Sequence, residues 1–266
     1  MFQINKDKYY KFEYLIKKMK KSVLIILCLI SFSLEETGFA SRYWDCCKPS
    51  CSWTDNAGAG NEARECNLQN EIITDHTAVS NCLGGPSMTC YSQVPWAIND
   101  KLAYGFAAVP GANSQGTCGK CFELTFTGEG KYETYMNHKK MAGKTMIVMA
   151  SNIGYDVTGG QFDIMIPGGG VGAFDGCSEL WGGIDIGQRC GGLLYSCEIE
   201  VGYNGTEEEM YIQRKQCLTN KCNETFSKFP ELLKGCLFLA DWMEAAGNPV
   251  HKYKEVECPA ELKEKY

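Results

Sequence analysis

Gln161-Phe-Asp-Ile-Met-Ile166 reads as a short strand, and it is stopped abruptly by Pro167 and by Gly168-Gly-Gly170. Three other stretches repeat the theme of a short apolar run ended by turn residues. Cys121-Phe-Glu-Leu-Thr-Phe126 alternates. Lys144-Thr-Met-Ile-Val-Met-Ala150 is more continuous, as a strand buried on both sides would be. Val250–Glu257 alternates with Lys and Glu turned outward. One helix is expected, starting near Pro230, carrying Leu232, Leu233, Leu237, Leu239 and Trp242 as its apolar positions, and ending at Gly247-Asn-Pro249. The chain therefore reads as mainly β with a few short helices, closed as a small barrel.

The 266 residues are 44% hydrophobic, enough for a packed core, and carry a formal charge of −6, which argues against general nucleic-acid binding. Sixteen cysteines are far more than a cytosolic chain uses and point to a disulfide-bonded domain in an oxidising compartment. The N-terminus agrees. Seven Lys in the first 21 residues precede Ser22–Leu34, an uncharged and largely apolar stretch of 13 residues. A basic region before a short apolar one is the pattern of a secretory signal, whereas a membrane span needs about 20 apolar residues. Residues 1–40 are read as an N-terminal extension and signal peptide, with cleavage after Ser33 or after Ala40. Residues 41–266 are read as a single domain of net charge −9, with no linker. The product is expected to be an extracellular monomer, free of the membrane once the signal is cleaved. The sequons Asn204-Gly-Thr206 and Asn223-Glu-Thr225 fit secretion and mark Asn204 and Asn223 as glycosylation candidates.

Cys28 goes with the signal, which leaves fifteen cysteines and at least one thiol without a partner in the chain. No metal or other cofactor is expected. His76, His138 and His251 are scattered without ligand spacing, and secretion favours disulfides over zinc at Cys46-Cys47 and Cys118-Gly-Lys-Cys121. The run Gly168–Gly172 matches neither a phosphate loop nor a dinucleotide fingerprint and reads as a turn. What remains is carboxylates beside flat aromatic rings: Tyr43, Trp44, Trp53, Trp96 and Trp181. Hydrolysis of a glycosidic bond needs one protonated carboxyl for the leaving oxygen and one ionised carboxyl to activate water or attack the sugar. Composition alone does not choose a pair from 32 acidic residues.

A resemblance makes the choice. Ala40-Ser-Arg-Tyr-Trp-Asp-Cys-Cys-Lys-Pro-Ser-Cys-Ser-Trp53 resembles the signature of glycoside hydrolase family 45, secreted endo-β-1,4-glucanases or cellulases. Pro95–Asp100, Cys121–Phe126, Gln161–Cys177, Gly187-Gln-Arg189 and Cys258–Leu262 follow in the family's order. The resemblance implies a six-stranded double-psi β-barrel with long disulfide-bonded loops and an open cleft, with residues 41–266 as a single catalytic domain and no carbohydrate-binding module. It also implies single-displacement, inverting hydrolysis of internal bonds in a β-glucan polysaccharide. Asp45, in Arg-Tyr-Trp-Asp, would be the general base and Asp163 the general acid, with Asp156 assisting. Tyr43, Trp53 and Lys48 would contact substrate, and Arg42 or Lys48 would favour the charge on Asp45. Asp175 is expected to be structural. The carried-over disulfides are Cys46–Cys177, Cys47–Cys82, Cys51–Cys118, Cys66–Cys90, Cys121–Cys258 and Cys222–Cys236.

Cys190, Cys197 and Cys217 are left, in or beside an extra segment of roughly 192–218. That segment reads as an exposed polar excursion whose base Cys197–Cys217 would close, with Cys190 buried as a free thiol. Cys190–Cys197 and Cys190–Cys217 remain the alternatives. Gly128–Ala142 reads as a second insertion, a hairpin-like loop rich in Tyr and Lys. The competing function is a non-hydrolytic, expansin-like or barwin-like wall-binding protein. Expansins lack the base-bearing motif, so Asp45 is the residue that discriminates.

Overall fold

The computed structural model describes residues 35–111, 116–154 and 156–266. Cys28, Ser33 and the signal-like stretch lie outside the described residues. Six strands form the frame: β1 (Glu36–Tyr43), β2 (Leu102–Ala108), β3 (Cys121–Gly130), β4 (Thr145–Asn152), β5 (Gln161–Met165) and β6 (Pro249–Val256). Their pairing runs β2-β4-β3-β6-β1-β5 and returns to β2 through Ala107↔Ile164 and Ala108↔Asp163, so the sheet closes on itself. Two of the six contacts, β1 with β5 and β2 with β4, are parallel, while the other four are antiparallel. This is the double-psi barrel, and closure leaves no long unpaired edge. Phe106, Leu124, Phe126, Met146, Val148, Phe162 and Ile164 fill it.

Four strands match the stretches read as strands from alternation or a continuous apolar run, but β1 and β2 escape a pattern reading. Leu-Ala-Tyr-Gly-Phe-Ala-Ala108 is dominated by small residues of weak strand propensity. It is a strand because β4 pairs along it, β5 pairs with its end, and residues 105–108 are all buried. β1 begins at Glu36, ahead of residue 41, and pairs with β6 from its first residue. Its Gly38 approaches Gly160 so closely that a Cβ there would lie 1.7 Å from the Gly160 carbonyl oxygen. Only glycine permits that seam.

The helices are longer than a few short turns. The extra segment folds as α1 (Gly192–Val201) and α2 (Glu207–Thr225), followed by α3 (Pro230–Asp241). The supposed excursion is thus a helical hairpin, and the reason is written at Thr206. Its hydroxyl accepts from Glu209 N at 3.2 Å while the Glu209 carboxylate accepts from Thr206 N at 2.8 Å, a reciprocal cap. Glu207, Glu208 and Glu209 start a helix, where negative charge meets the positive end of its dipole. The segment 128–142 is likewise not a hairpin loop: β3 runs on to Gly130 and a helix covers Met136–Met141.

Seven disulfides tie these parts: Cys46–Cys177, Cys47–Cys82, Cys51–Cys118, Cys66–Cys90, Cys121–Cys258, Cys197–Cys217 and Cys222–Cys236. Cys197–Cys217 joins α1 to α2 and Cys222–Cys236 joins α2 to α3. Cys190 carries a free thiol but is exposed, where burial was expected. It precedes Gly191 and Gly192 in a turn bridged to Gly170. Among the described residues no helix is long and apolar enough to cross a membrane, and no cluster of three His, Cys, Asp or Glu could hold a metal ion.

Two outcomes follow from this covalent frame. Replacing Cys197 and Cys217 together by Ala should cost about 2–4 kcal/mol through the freed unfolded chain, and should lower Tm by about 4–16 °C at 2–4 °C per kcal/mol in scanning calorimetry. Alkylation of the native protein followed by non-reducing peptide mapping should label Cys190, with Cys197 and Cys217 recovered as a linked pair.

Candidate active site

The parallel ladder between β1 and β5 assembles the site. Its register sets Ser41 opposite Asp163 and Tyr43 opposite Met165. On β5, Phe162 and Ile164 point into the core, so the period-2 alternation turns Asp163 to the other side. There it lines a cleft of about 460 Å³ with Ser41, Arg42, Tyr43, Asp156, Gln161 and Arg189. Asp45 lies two residues past the end of β1. Its neighbour Cys46 takes φ 57°, an uncommon left-handed conformation for a residue with a side chain, and is held there by Cys177. Asp45 O accepts from Gly176 N at 2.9 Å, and Trp44 N donates to Gly170 O at 2.8 Å. Gly170 has φ 98°, and a Cβ on it would stand 2.7 Å from Arg189 O. The triple glycine therefore lets three loops meet behind the carboxyls.

The two carboxyls have different surroundings. One oxygen of Asp163, Oδ1, is buried without any hydrogen-bond partner, and burial is the main reason its pKa rises to about 7. A hydrogen bond with Ser41 and the Arg42 guanidinium oppose the rise; the charges of Asp156 and Asp45 add to it. Asp45 rises to about 6, again chiefly through burial, with Asp175 adding to it. Against that, Asp45 Oδ1 accepts from Cys47 N at 2.9 Å, a bond that favours the ionised form. Tyr43 sits beside both: its hydroxyl accepts from Asn152 Nδ2 at 2.8 Å, and burial with Asp45 nearby pushes its pKa well up, so it stays a neutral phenol.

Asp156 is exposed on the cleft rim and acts on Asp163 through its charge. Asp175 is a turn cap: its Oδ1 accepts from Ser178 N at 2.9 Å and its Oδ2 from the Ser178 hydroxyl at 2.7 Å. Lys48 is not placed as a substrate contact. It is 4% exposed, its ammonium pairs with buried Glu65 at 3.0 Å and donates to His76 O and Ala78 O, and it lies 3.8 Å from the centre of the Trp53 ring. A short run of sequence places Lys48 beside the motif, but a buried carboxylate 17 residues away claims it. Neither Lys48 nor Arg42 supports the Asp45 charge; the Cys47 amide does. Arg42 turns to Gly191 O at 3.0 Å and to the Asp163 side.

Ser41, Asn152, Arg189, Glu198 and Asn248 were not singled out from the sequence, and all stand at the cleft or bond to a residue there. Only Ser41 had a legible signal, since it alternates with Tyr43 on the same face of one strand.

Comparison with known proteins follows the same outline. The family model for glycosyl hydrolase family 45 matches residues 37–204, the span that holds β1, the cleft carboxyls and the triple glycine. Endoglucanase B of Cellvibrio japonicus is 45% identical over 231 residues, 85% of this chain, but the chain spans only 44% of that relative's length. An endoglucanase of the springtail Cryptopygus antarcticus is 36% identical over 86% of this chain and 87% of its own. The crystal structure of the cellulase from that springtail superposes with a TM-score of 0.66 at 35% identity, covering 87% of this chain and 95% of the other. The chain belongs to glycosyl hydrolase family 45.

Proposed function

We propose that the protein is an endo-β-1,4-glucanase that hydrolyses internal bonds of cellulose or a related β-glucan with inversion. The observation that carries this reading is a pair of buried carboxyls in unequal surroundings: Asp163 lines the cleft, and Asp45 is near enough for its charge to act on Asp163. Asp163, with an unpaired buried oxygen, keeps a proton near neutrality and gives it to the leaving glycosidic oxygen. Asp45, anchored by the Cys47 amide, is the more easily ionised and takes a proton from the attacking water. The water approaches the anomeric carbon opposite the leaving group, so a β-linkage yields an α-product. Asp156 assists by helping Asp163 hold its proton, and Tyr43 and Trp53 present rings to the sugar.

Secretion belongs to the same reading. Seven disulfides, the basic-then-apolar N-terminus and the exposed Asn204 and Asn223 support it. Cleavage after Ser33 is favoured over Ala40, since removing residues 36–40 would strip β1 of its pairing with β6 and of Phe39↔Gln161 and Ala40↔Phe162.

Four measurements test the mechanism. Asp163→Asn should lower kcat on unactivated β-glucan by about 10²–10⁴-fold while oligosaccharide binding persists, because the amide keeps the shape but has no proton to give. Asp45→Asn should be as damaging and should not be rescued by an aryl glycoside, whose good leaving group removes the need for an acid only. Proton NMR of the earliest product should show the α-anomer; a β-anomer appearing first overturns the single displacement. The pH–rate profile should be a bell. Its acid limb lies near 6, below which Asp45 is protonated and no base remains, and its alkaline limb near 7, above which Asp163 has lost its proton. The residual activity of Asp163→Asn should lack the alkaline limb.

A further inference from the structure

A second groove opens beside the cleft. It measures about 710 Å³, within the range of ligand-binding pockets, and it shares Tyr132, Tyr195, Glu198 and Asn248 with the cleft, so the two are continuous. Its walls come from the two segments read as insertions: Tyr132, Glu133, Tyr135 and His138 from one, and Tyr195, Ile199, Tyr203 and Arg214 from the other.

Its chemistry is that of a neutral polyol site. Tyr132, Tyr195 and Tyr203 are 78%, 46% and 72% exposed, an unusual display of aromatic surface on one groove. A pyranose ring has an apolar C–H face that suits such rings, and an equatorial rim of hydroxyls that suits the polar groups between them. Those groups are present. The Tyr135 and Tyr203 hydroxyls lie 3.2 Å apart, and both meet the Glu133 carboxylate. Arg214 is 3% exposed, and its Nε is buried without a partner. Its guanidinium lies 4.2 Å from the centre of the Tyr135 ring and so holds that tyrosine in place. His138 is neutral in its setting: burial lowers its pKa, its Nδ1 accepts from Tyr135 N at 3.0 Å and its Nε2 donates to Gly247 O at 2.7 Å. Two glutamates against one arginine make no cradle for an anionic polymer.

Building on the endoglucanase reading, we propose that this tyrosine-walled groove binds glucosyl units of the substrate chain beyond those held at the cleft carboxyls, so that the two inserted segments set a preference for long chains. Tyr203 and Ile199 line the groove and not the cleft, which makes them the positions to change. Both are exposed, 72% and 59%, so neither change should unfold the protein.

The test uses Asp163→Asn as an uncleaving parent and titrates cellotriose, cellotetraose, cellopentaose and cellohexaose by calorimetry, with Tyr203→Ala, Tyr203→Phe and Ile199→Ser added singly to it. Tyr203→Ala should reduce the affinity gained from the longer oligosaccharides by about 3–10-fold, the size of one lost ring contact, and leave the value for the shortest within error. Ile199→Ser should act in the same direction, and Tyr203→Phe should restore most of the loss. In the otherwise unaltered enzyme, Tyr203→Ala should lower the ratio of kcat/KM on long soluble β-glucan to that on cellotetraose. Equal length-dependence in parent and variants overturns the groove while leaving the endoglucanase reading intact. Release of no reducing sugar by the unaltered enzyme overturns that reading, and the groove's assignment with it.

Discussion

The parallel contact between β1 and β5 is the interaction on which the site depends. It brings residues 122 apart in the chain into register, Ser41 against Asp163, and it leaves Asp45 just beyond the end of the same β1 strand. β5 also pairs with β2 through Ala108↔Asp163, so the strand carrying Asp163 is the one that closes the barrel. A carboxyl on a closing strand is fixed from both sides. Any slip of one residue in the register would turn Phe162 toward water and Asp163 into the core. Folding and positioning of this group are therefore the same event.

Asp45 is held by a different means. It follows a strand but belongs to a loop, and loops are where side chains wander. Here Cys46 and Cys47 are bonded to Cys177 and Cys82, and the Asp45 carbonyl is bonded to Gly176. The positive φ at Cys46 persists because those partners over-determine it. The cysteine pair that first looked like a framework for the domain also anchors the residue ahead of it.

How much of this was legible in the sequence depends on how local the cause is. Four strands could be read because each carries its own alternation or apolar run. β2 could not, since Ala103, Ala107 and Ala108 become strand residues only once the barrel surrounds them. The carboxyl pair came from a long motif match, not from chemistry visible at any one position. Lys48 was misjudged because its partner Glu65 is distant in sequence, and the buried pair depends on a fold that brings the two together. The hairpin of α1 and α2 had a local signal after all: Thr206 with Glu209 three residues on is a capping box, and a stretch rich in Glu was taken for a solvated loop.

In the proposed reaction the two carboxyls must differ in proton affinity, yet burial raises both. The distinction rests on small things. Asp45 has an amide donor on Oδ1 where Asp163 has none on its own. A separation of one pKa unit corresponds to about 1.4 kcal/mol, comparable with the net worth of a single hydrogen bond. The Cys47 N–H bond to Asp45 is thus of the same size as that separation and acts in the direction the proposed base requires, while the Ser41 bond opposes the rise at Asp163. The Cys47 N–H stays where it is because the residue is tied to Cys82. The Cys47–Cys82 disulfide thus holds the amide donor that favours ionised Asp45, the state the proposed base needs.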